Sequence, residues 1–212
     1  MKAVVMDLAR LMTRPPSVLR FVKSYFLDKG FQAVVLYRLA HWLVNKKIKI
    51  IASLVTNHSL SKTGAEIQPY AQIGPGFLVK HPVGLVIGSG CRIGRDFTVL
   101  QGVTLGEKNV PDGKYEYPII GDQVTICAGA KVLGAVRIGS GSIVGANAVV
   151  IHDVPLNVMV AGVPARMIRE LGTSPFMRSG MSGVHNRVSQ VVRNGEGGSL
   201  LLASGRKDGD SG

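Results

Sequence analysis

Aliphatic residues recur every six positions through the middle of this chain. Ile67, Ile73, Val79 and Leu85 form one run, Ile87, Ile93, Val99 and Leu105 a second, and Ile120, Ile126, Val132, Ile138, Val144 and Val150 a third. A six-residue period is too long for a helical turn and too slow for simple strand alternation. It is the signature of a parallel β-helix, in which each hexapeptide supplies one short strand and one turn. The aliphatic residue points inward. The small residue two places before it (Ala65, Ala71, Cys91, Ala130, Ser142, Ala148) lets the corner close. Gly often follows the aliphatic, where the turn backbone needs it. Coils built this way stack roughly 4.8 Å apart.

The frame breaks in two places. It slips between Leu85 and Ile87, just after His81 in GFLVKHPVGLVIGSG. It is interrupted between Leu105 and Ile120 by GEKNVPDGKYEYPI, which carries Pro, Gly and charge and is expected as a loop over 106–119. A regular solenoid displays function where its regularity fails, because the loop is held on a rigid frame. His81 is therefore the first candidate for a reactive group.

Before this region, residues 17–60 read as helices. SVLRFVKSYFLDKG is expected to stop at Gly30, and the following segment places Val35, Leu36, Leu39, Trp42 and Leu43 on one stripe. IKIIASLVTNHSL continues as a third helix. The organisation expected is a helical segment over 1–60, a β-helix over 61–172 and a mostly disordered tail over 173–212, rich in Gly, Ser and charge. His41, His58 and His152 are expected to be structural.

The net charge of +12 is concentrated at the start, where residues 1–60 hold ten Lys and Arg against two acids. Such a segment suits an anionic membrane surface, nucleic acid or a solvated helical face. No nucleic-acid motif accompanies it, so no nucleic-acid partner is expected. Cys91 and Cys127 have neither metal-ligand spacing nor a disulfide pattern, which points to a reducing, cytoplasmic setting and to no metal. Lys2, Asp7 and Arg10 interrupt any secretory h-region, and Arg38 and His41 break the longest apolar run.

Several phrases together carry a family resemblance: GAEIQPYAQIG, His81 followed by GLVIG, LQGVTLG, AGAKVLG, VAGVPARMI and the helical GFQAVVLYRLAHWL. The set, from about residue 29 to 170, resembles the serine O-acetyltransferase branch of the hexapeptide acyltransferases. The resemblance implies a mainly β protein, a left-handed parallel β-helix behind an N-terminal helical segment. It also implies a homotrimer, with higher assembly through the N-terminal helices, and acetyl-CoA bound between neighbouring subunits. By motif position His81 becomes the general base and Glu66 the carboxylate that orients it. An imidazole suits this work because its ordinary pKa, about 6.5, lies near working pH. Gly106, Ala128 and Gly129 fall where the backbone approaches the pantetheine arm. Lys131 suits the phosphates, and Val163, Pro164 and Arg166 fall near the adenine end.

The acceptor side departs from the family pattern. Lys80 stands before the base where the family usually has Asp, and Glu116–Tyr117 precede Pro118 where the family usually has Arg-His. These residues, Lys80, Glu116 and Tyr117, are the candidate acceptor contacts, and they reverse the charges that a zwitterionic serine would meet. The expectation is therefore an acetyl-CoA-dependent O-acetyltransferase of the exopolysaccharide or colanic-acid type. Its acceptor would be a sugar hydroxyl on a surface-polysaccharide precursor, met at the membrane's inner face. A divergent serine O-acetyltransferase and a non-catalytic trimeric scaffold are the alternatives.

Overall fold

The structure is a computed structural model and describes residues 2–12, 17–109 and 115–172. These fall within one unit, Met1–Ser174, and the expected tail over 173–212 lies outside the described residues. Four helices come first: α1 (Lys2–Leu11), α2 (Val18–Leu27), α3 (Lys29–Asn45) and α4 (Lys49–Thr63). A left-handed parallel β-helix of five coils follows.

The first coil holds β1 (Glu66–Ile67), β2 (Gln72–Ile73) and β3 (Leu78–Val79), and the second β4 (Val86–Ile87), β5 (Arg92–Ile93) and β6 (Thr98–Val99). The third starts with β7 (Thr104–Gly106), leaves the frame as a hairpin of β8 (Lys108–Asn109) and β9 (Tyr115–Glu116), and returns as β10 (Ile119–Ile120) and β11 (Thr125–Ile126). The expected loop is thus partly an antiparallel ribbon. The fourth holds β12 (Lys131–Leu133), β13 (Arg137–Ile138) and β14 (Ile143–Val144); the fifth holds β15 (Val149–Val150) and β16 (Val158–Ala161). Last, β17 (Arg166–Glu170) turns back antiparallel on β16. The strands stack into three faces: β1-β4-β7-β12-β15 (face 1), β2-β5-β10-β13 (face 2) and β3-β6-β11-β14-β16-β17 (face 3).

Every residue of the six-fold pattern is buried, from Ile67 at 3% exposure to Val150 at 1%, and so are the small residues two places before. The core is one continuous column of these side chains. Register keeps it so: Ile67, Ile87 and Leu105 pair along face 1, and Val132 and Val150 continue the row. Two ladders of left-handed residues run along the corners. Gly84, Gly102, Gly129 and Asn147 form one; Gly76, Asp96, Gln123, Gly141 and Asn157 form the other. From the second coil on, each places the chain so that its N–H bonds the coil before, as Gly102 does to Val83 O at 3.0 Å, while in the first coil Gly76 and Gly84 bond Asp7 Oδ1 and Gly64 O.

The open end of the solenoid is capped by α3. Tyr37 is buried against Phe77, which stacks on Phe97, and its hydroxyl donates to Ala71 O at 2.8 Å. Burial raises the Tyr37 pKa to about 12, so this bond keeps its proton throughout the working range. Arg38 donates to Ile73 O and Gly74 O at 2.6 and 2.7 Å, and His41 Nδ1 lies 2.8 Å from Pro69 O, a structural role.

Two helical expectations are corrected. Gly30 does not terminate a helix: Asp28 ends α2 and caps α3 by accepting from Phe31 N at 2.7 Å, so Gly30 lies in the first turn of α3. Gly is there because a Cβ would run into the Val79 carbonyl. Gly30→Ala should therefore cost about 1–3 kcal/mol of overpacking in denaturant unfolding, although alanine is the better helix former. An unchanged or improved midpoint would disprove the close approach. The buried side of α3 is Phe31, Val34, Leu36, Tyr37, Ala40 and Leu43, while Leu39 and Trp42 of the expected stripe are exposed at 44% and 54%.

Helix α1 falls within the helical segment expected over 1–60, ahead of residues 17–60, where individual helices are expected. It is held by Asp7, 1% exposed, whose carboxylate pairs with Arg38 at 2.9 Å and accepts from Gly76 N and Phe77 N at 2.8 Å each. Arg10 donates to Gly76 O at 2.7 Å and to Thr98 Oγ1 at 3.2 Å.

Candidate functional site

The corner between faces 3 and 1 sets the geometry. In the second, third and fourth coils it takes four residues, 100–103, 127–130 and 145–148; in the first it takes six, 80–85. The slip in the hexapeptide frame is this two-residue enlargement, and His81 lies at its tip, exposed. Its φ is +55°. The other non-glycine residues of this kind sit on the two corner ladders or, for Lys47, at a helix end, among the described residues. Gly84 already fills the ladder position of this corner. His81 is thus held in left-handed backbone, at a cost of about 1–2 kcal/mol, for no reason the stacking supplies.

Glu66 opens β1 on face 1, with its side chain outward because Ile67 faces the core. Its backbone N–H bonds Leu85 O at 2.8 Å, which ties it to the enlarged corner. Its carboxylate accepts from Gln68 Nε2 at 2.8 Å, and no hydrogen bond joins it to His81. The two candidates share one edge of face 1.

Along the same edge, descending the axis, lie Ala128 and Gly129, then Lys131 at the start of β12, then Val163 and Pro164 in the turn that sits over Val149. Arg166 opens β17 just beyond, exposed, with Nη1 donating to Ala165 O at 3.3 Å. From the His81 corner to that turn is four coil spacings, about 19 Å. Lys131 Nζ donates to Gly102 O at 2.5 Å, on the neighbouring coil.

Gly106, Glu116 and Tyr117 are elsewhere. Gly106 ends β7 where the hairpin leaves the frame, and Glu116 and Tyr117 stand on the returning side of that hairpin, at the corner between faces 1 and 2, the opposite edge of face 1. Tyr117 lies flat on the Gly88–Gly90 turn, where a Cβ on Gly90 would collide with its ring. Its hydroxyl donates to Glu107 and lies 3.1 Å from Ser89 Oγ. The Glu107 bond holds that phenol above its ordinary pKa. One chain therefore carries the candidate base on one edge and the candidate acceptor hairpin on the other.

The two small residues proposed for a pantetheine arm differ in kind. Gly129 is required by the fold, since it is left-handed and a Cβ would strike the Asn147 side chain. Gly106 has ordinary backbone, and a Cβ there would meet only the tips of Leu133, at 3.1 Å, and Thr104, at 3.6 Å. Its glycine is therefore not demanded by backbone conformation, although a Cβ would press on Leu133. Burial pushes the thiol of Cys127, beside Ala128, above its ordinary range and that of Cys91 to about 12, so neither is a thiolate that competes for an acyl group. A depression of about 400 Å³ on face 2, lined by Ile119, Arg137, Asp153 and Pro155, holds none of the candidate residues. Among the described residues no group of three or more His, Cys, Asp or Glu is placed to hold a metal ion.

The bacterial transferase hexapeptide (six repeats) signature matches residues 117–152. The serine acetyltransferase of Bacillus subtilis (strain 168) is 39% identical over 166 residues, 78% of this chain and 76% of that protein. The chain belongs to the serine acetyltransferase family. Among solved structures, the Brucella abortus family member in complex with coenzyme A superposes with a TM-score of 0.73 at 37% identity, covering 82% of this chain and 69% of that one. The soybean family member complexed with serine gives 0.71 at 36% identity, covering 79% and 68%.

As a member of this family the chain is an acetyl-CoA-dependent acyltransferase, with acetyl-CoA as cosubstrate. The expected exopolysaccharide type is not what the relatives carry: their names are serine acetyltransferase, at 34–39% identity. Arg10 and Asp7 were noted in the sequence only as charges that interrupt a leader. Their partners lie 31 to 88 residues away, beyond any local pattern.

Proposed function

We propose that this chain acetylates an acceptor hydroxyl with His81 as general base. The observation that carries this is the enlarged corner, which holds His81 in left-handed backbone off both ladders. Bound acetyl-CoA supplies an activated thioester carbonyl. His81 takes the acceptor's hydroxyl proton as the new C–O bond forms, and returns it to the sulfur as the C–S bond breaks. Glu66 steadies the imidazolium once ligand binding brings the two together.

L-serine is the acceptor that the relatives' names support. A sugar hydroxyl is the second reading, favoured by the cationic Lys80 beside the base and by Glu116 on the hairpin. In either case the working unit is a homotrimer in the cytoplasm. The separation of His81 from the Tyr117 hairpin supports a site shared across subunits, in which one chain's base edge faces its neighbour's hairpin. The apolar residues left exposed on α2 (Val18, Leu19, Phe26) and α4 (Ile50, Leu54) support further contacts through the helices. Among the described residues no helix is long and apolar enough to cross a membrane.

Release of the CoA thiol, measured with L-serine and a panel of sugars and nucleotide sugars, tests this reading. We expect turnover with one class and, by light scattering, a particle of three times the 22.5 kDa chain mass. Turnover on L-serine at ordinary efficiency sinks the sugar reading, and silence across the whole panel favours a scaffold without chemistry.

A further inference from the structure

Lys80 follows directly on β3, and its N–H bonds Val99 O at 2.8 Å. In the paired strands Leu78 stands against Thr98 and Val79 against Val99. The two valines fill the core, so by strand alternation Lys80 leaves the outer face on the side of Leu78 and Thr98. Arg10 reaches that same face from α1 through its bonds to Gly76 O and Thr98 Oγ1. Two cations thus share a patch next to the candidate base.

Their charges are not equally matched. Asp96 lies 3.8 Å from Arg10, and Asp7 is committed to Arg38 and two backbone amides. Among the described residues no carboxylate pairs with Lys80. Partial burial, with Arg10 adding to it, holds the Lys80 ammonium below its ordinary pKa. A partly dehydrated cation lacking a counter-charge is stabilised by whatever anion can reach it.

We propose that Lys80, backed by Arg10, binds the anionic group of the acceptor, a carboxylate or a phosphate, and thereby presents the acceptor hydroxyl to His81. The proposal rests on the reading of His81 as base. An amino-acid acceptor supplies an α-carboxylate and a sugar acceptor a phosphate or uronate. The ammonium, a point charge on a flexible stem, accommodates either shape.

Matched acceptors test it: L-serine against serinol, which lacks the carboxylate, and glucose 6-phosphate against glucose, each read by CoA release. In one pair the anionic member should have a kcat/KM about tenfold to a hundredfold higher, the range of a charge-assisted hydrogen bond. Lys80→Gln should collapse that ratio towards one, mainly through KM, and Lys80→Arg should restore most of it. An equal ratio in the unaltered enzyme, or one unchanged by Lys80→Gln, overturns the proposal. A second readout needs no turnover. Inorganic phosphate or L-serine should slow labelling of Lys80 by an N-hydroxysuccinimide ester, followed by peptide mass spectrometry, but not labelling of the exposed Lys49. Protection without turnover on any acceptor keeps the anion site and removes the base reading. Turnover without protection does the reverse.

Discussion

Replacing His81 with alanine is expected to lower turnover by about 10²- to 10⁴-fold, the usual weight of a positioned general base, while coenzyme A binding survives. The donor contacts proposed for Ala128, Gly129, Lys131 and the 163–166 turn lie up to four coils away along the edge, so losing the imidazole leaves them in place. A companion variant separates chemistry from fold. Because His81 has a φ of +55°, His81→Gly should be more stable than His81→Ala by about 1 kcal/mol. In a chain of this length that is about 2–4 °C in Tm. Both variants should be inactive. Full turnover in either would remove His81 from the mechanism, and equal melting temperatures would mean that the corner is not strained.

The largest expected effect on stability is at Asp7. Asp7→Ala takes away the partner of Arg38 and the acceptor of the Gly76 and Phe77 amides in one step. A buried ion pair broken on one side costs about 3–5 kcal/mol, because the remaining charge stays desolvated. That is a large share of an ordinary domain's 5–15 kcal/mol. Urea unfolding of the native and Asp7→Ala proteins measures it. Asp7→Asn should cost less, since its amide oxygen still accepts from a backbone N–H. A midpoint within error of the native one would show that α1 is not held by this contact. Gly76 and Phe77 run directly into β3 and the His81 corner, so the Asn variant should also lose activity at temperatures where it remains folded.

The β-helix was legible because its determinants are local and repeated. Each inward residue from Ile67 to Val150 is fixed by its own hexapeptide, and all proved buried. The enlarged corner was legible as the frame slip at Leu85–Ile87. The helices were harder because α3 packs on more than one side, capping the β-helix with Tyr37 and meeting α4 as well. A helix that is apolar nearly all round has no single stripe to read, which is why Leu39 and Trp42 were misjudged. Gly30 looked like a stop signal, yet its reason is the Val79 carbonyl, 49 residues on. The candidate site was legible residue by residue but not in space. Nothing in the spacing of His81, Glu116 and Tyr117 says that they stand on opposite edges of one face.

The hairpin also bears on how specificity is inherited. Its strands pair with each other and with none of the three faces, and Tyr117, gripped by Glu107, meets the frame at Ser89 and the Gly88–Gly90 turn. Sequence can be exchanged there without disturbing the register of a single coil. A segment attached in this way can vary in sequence and length while the frame beneath it keeps its form.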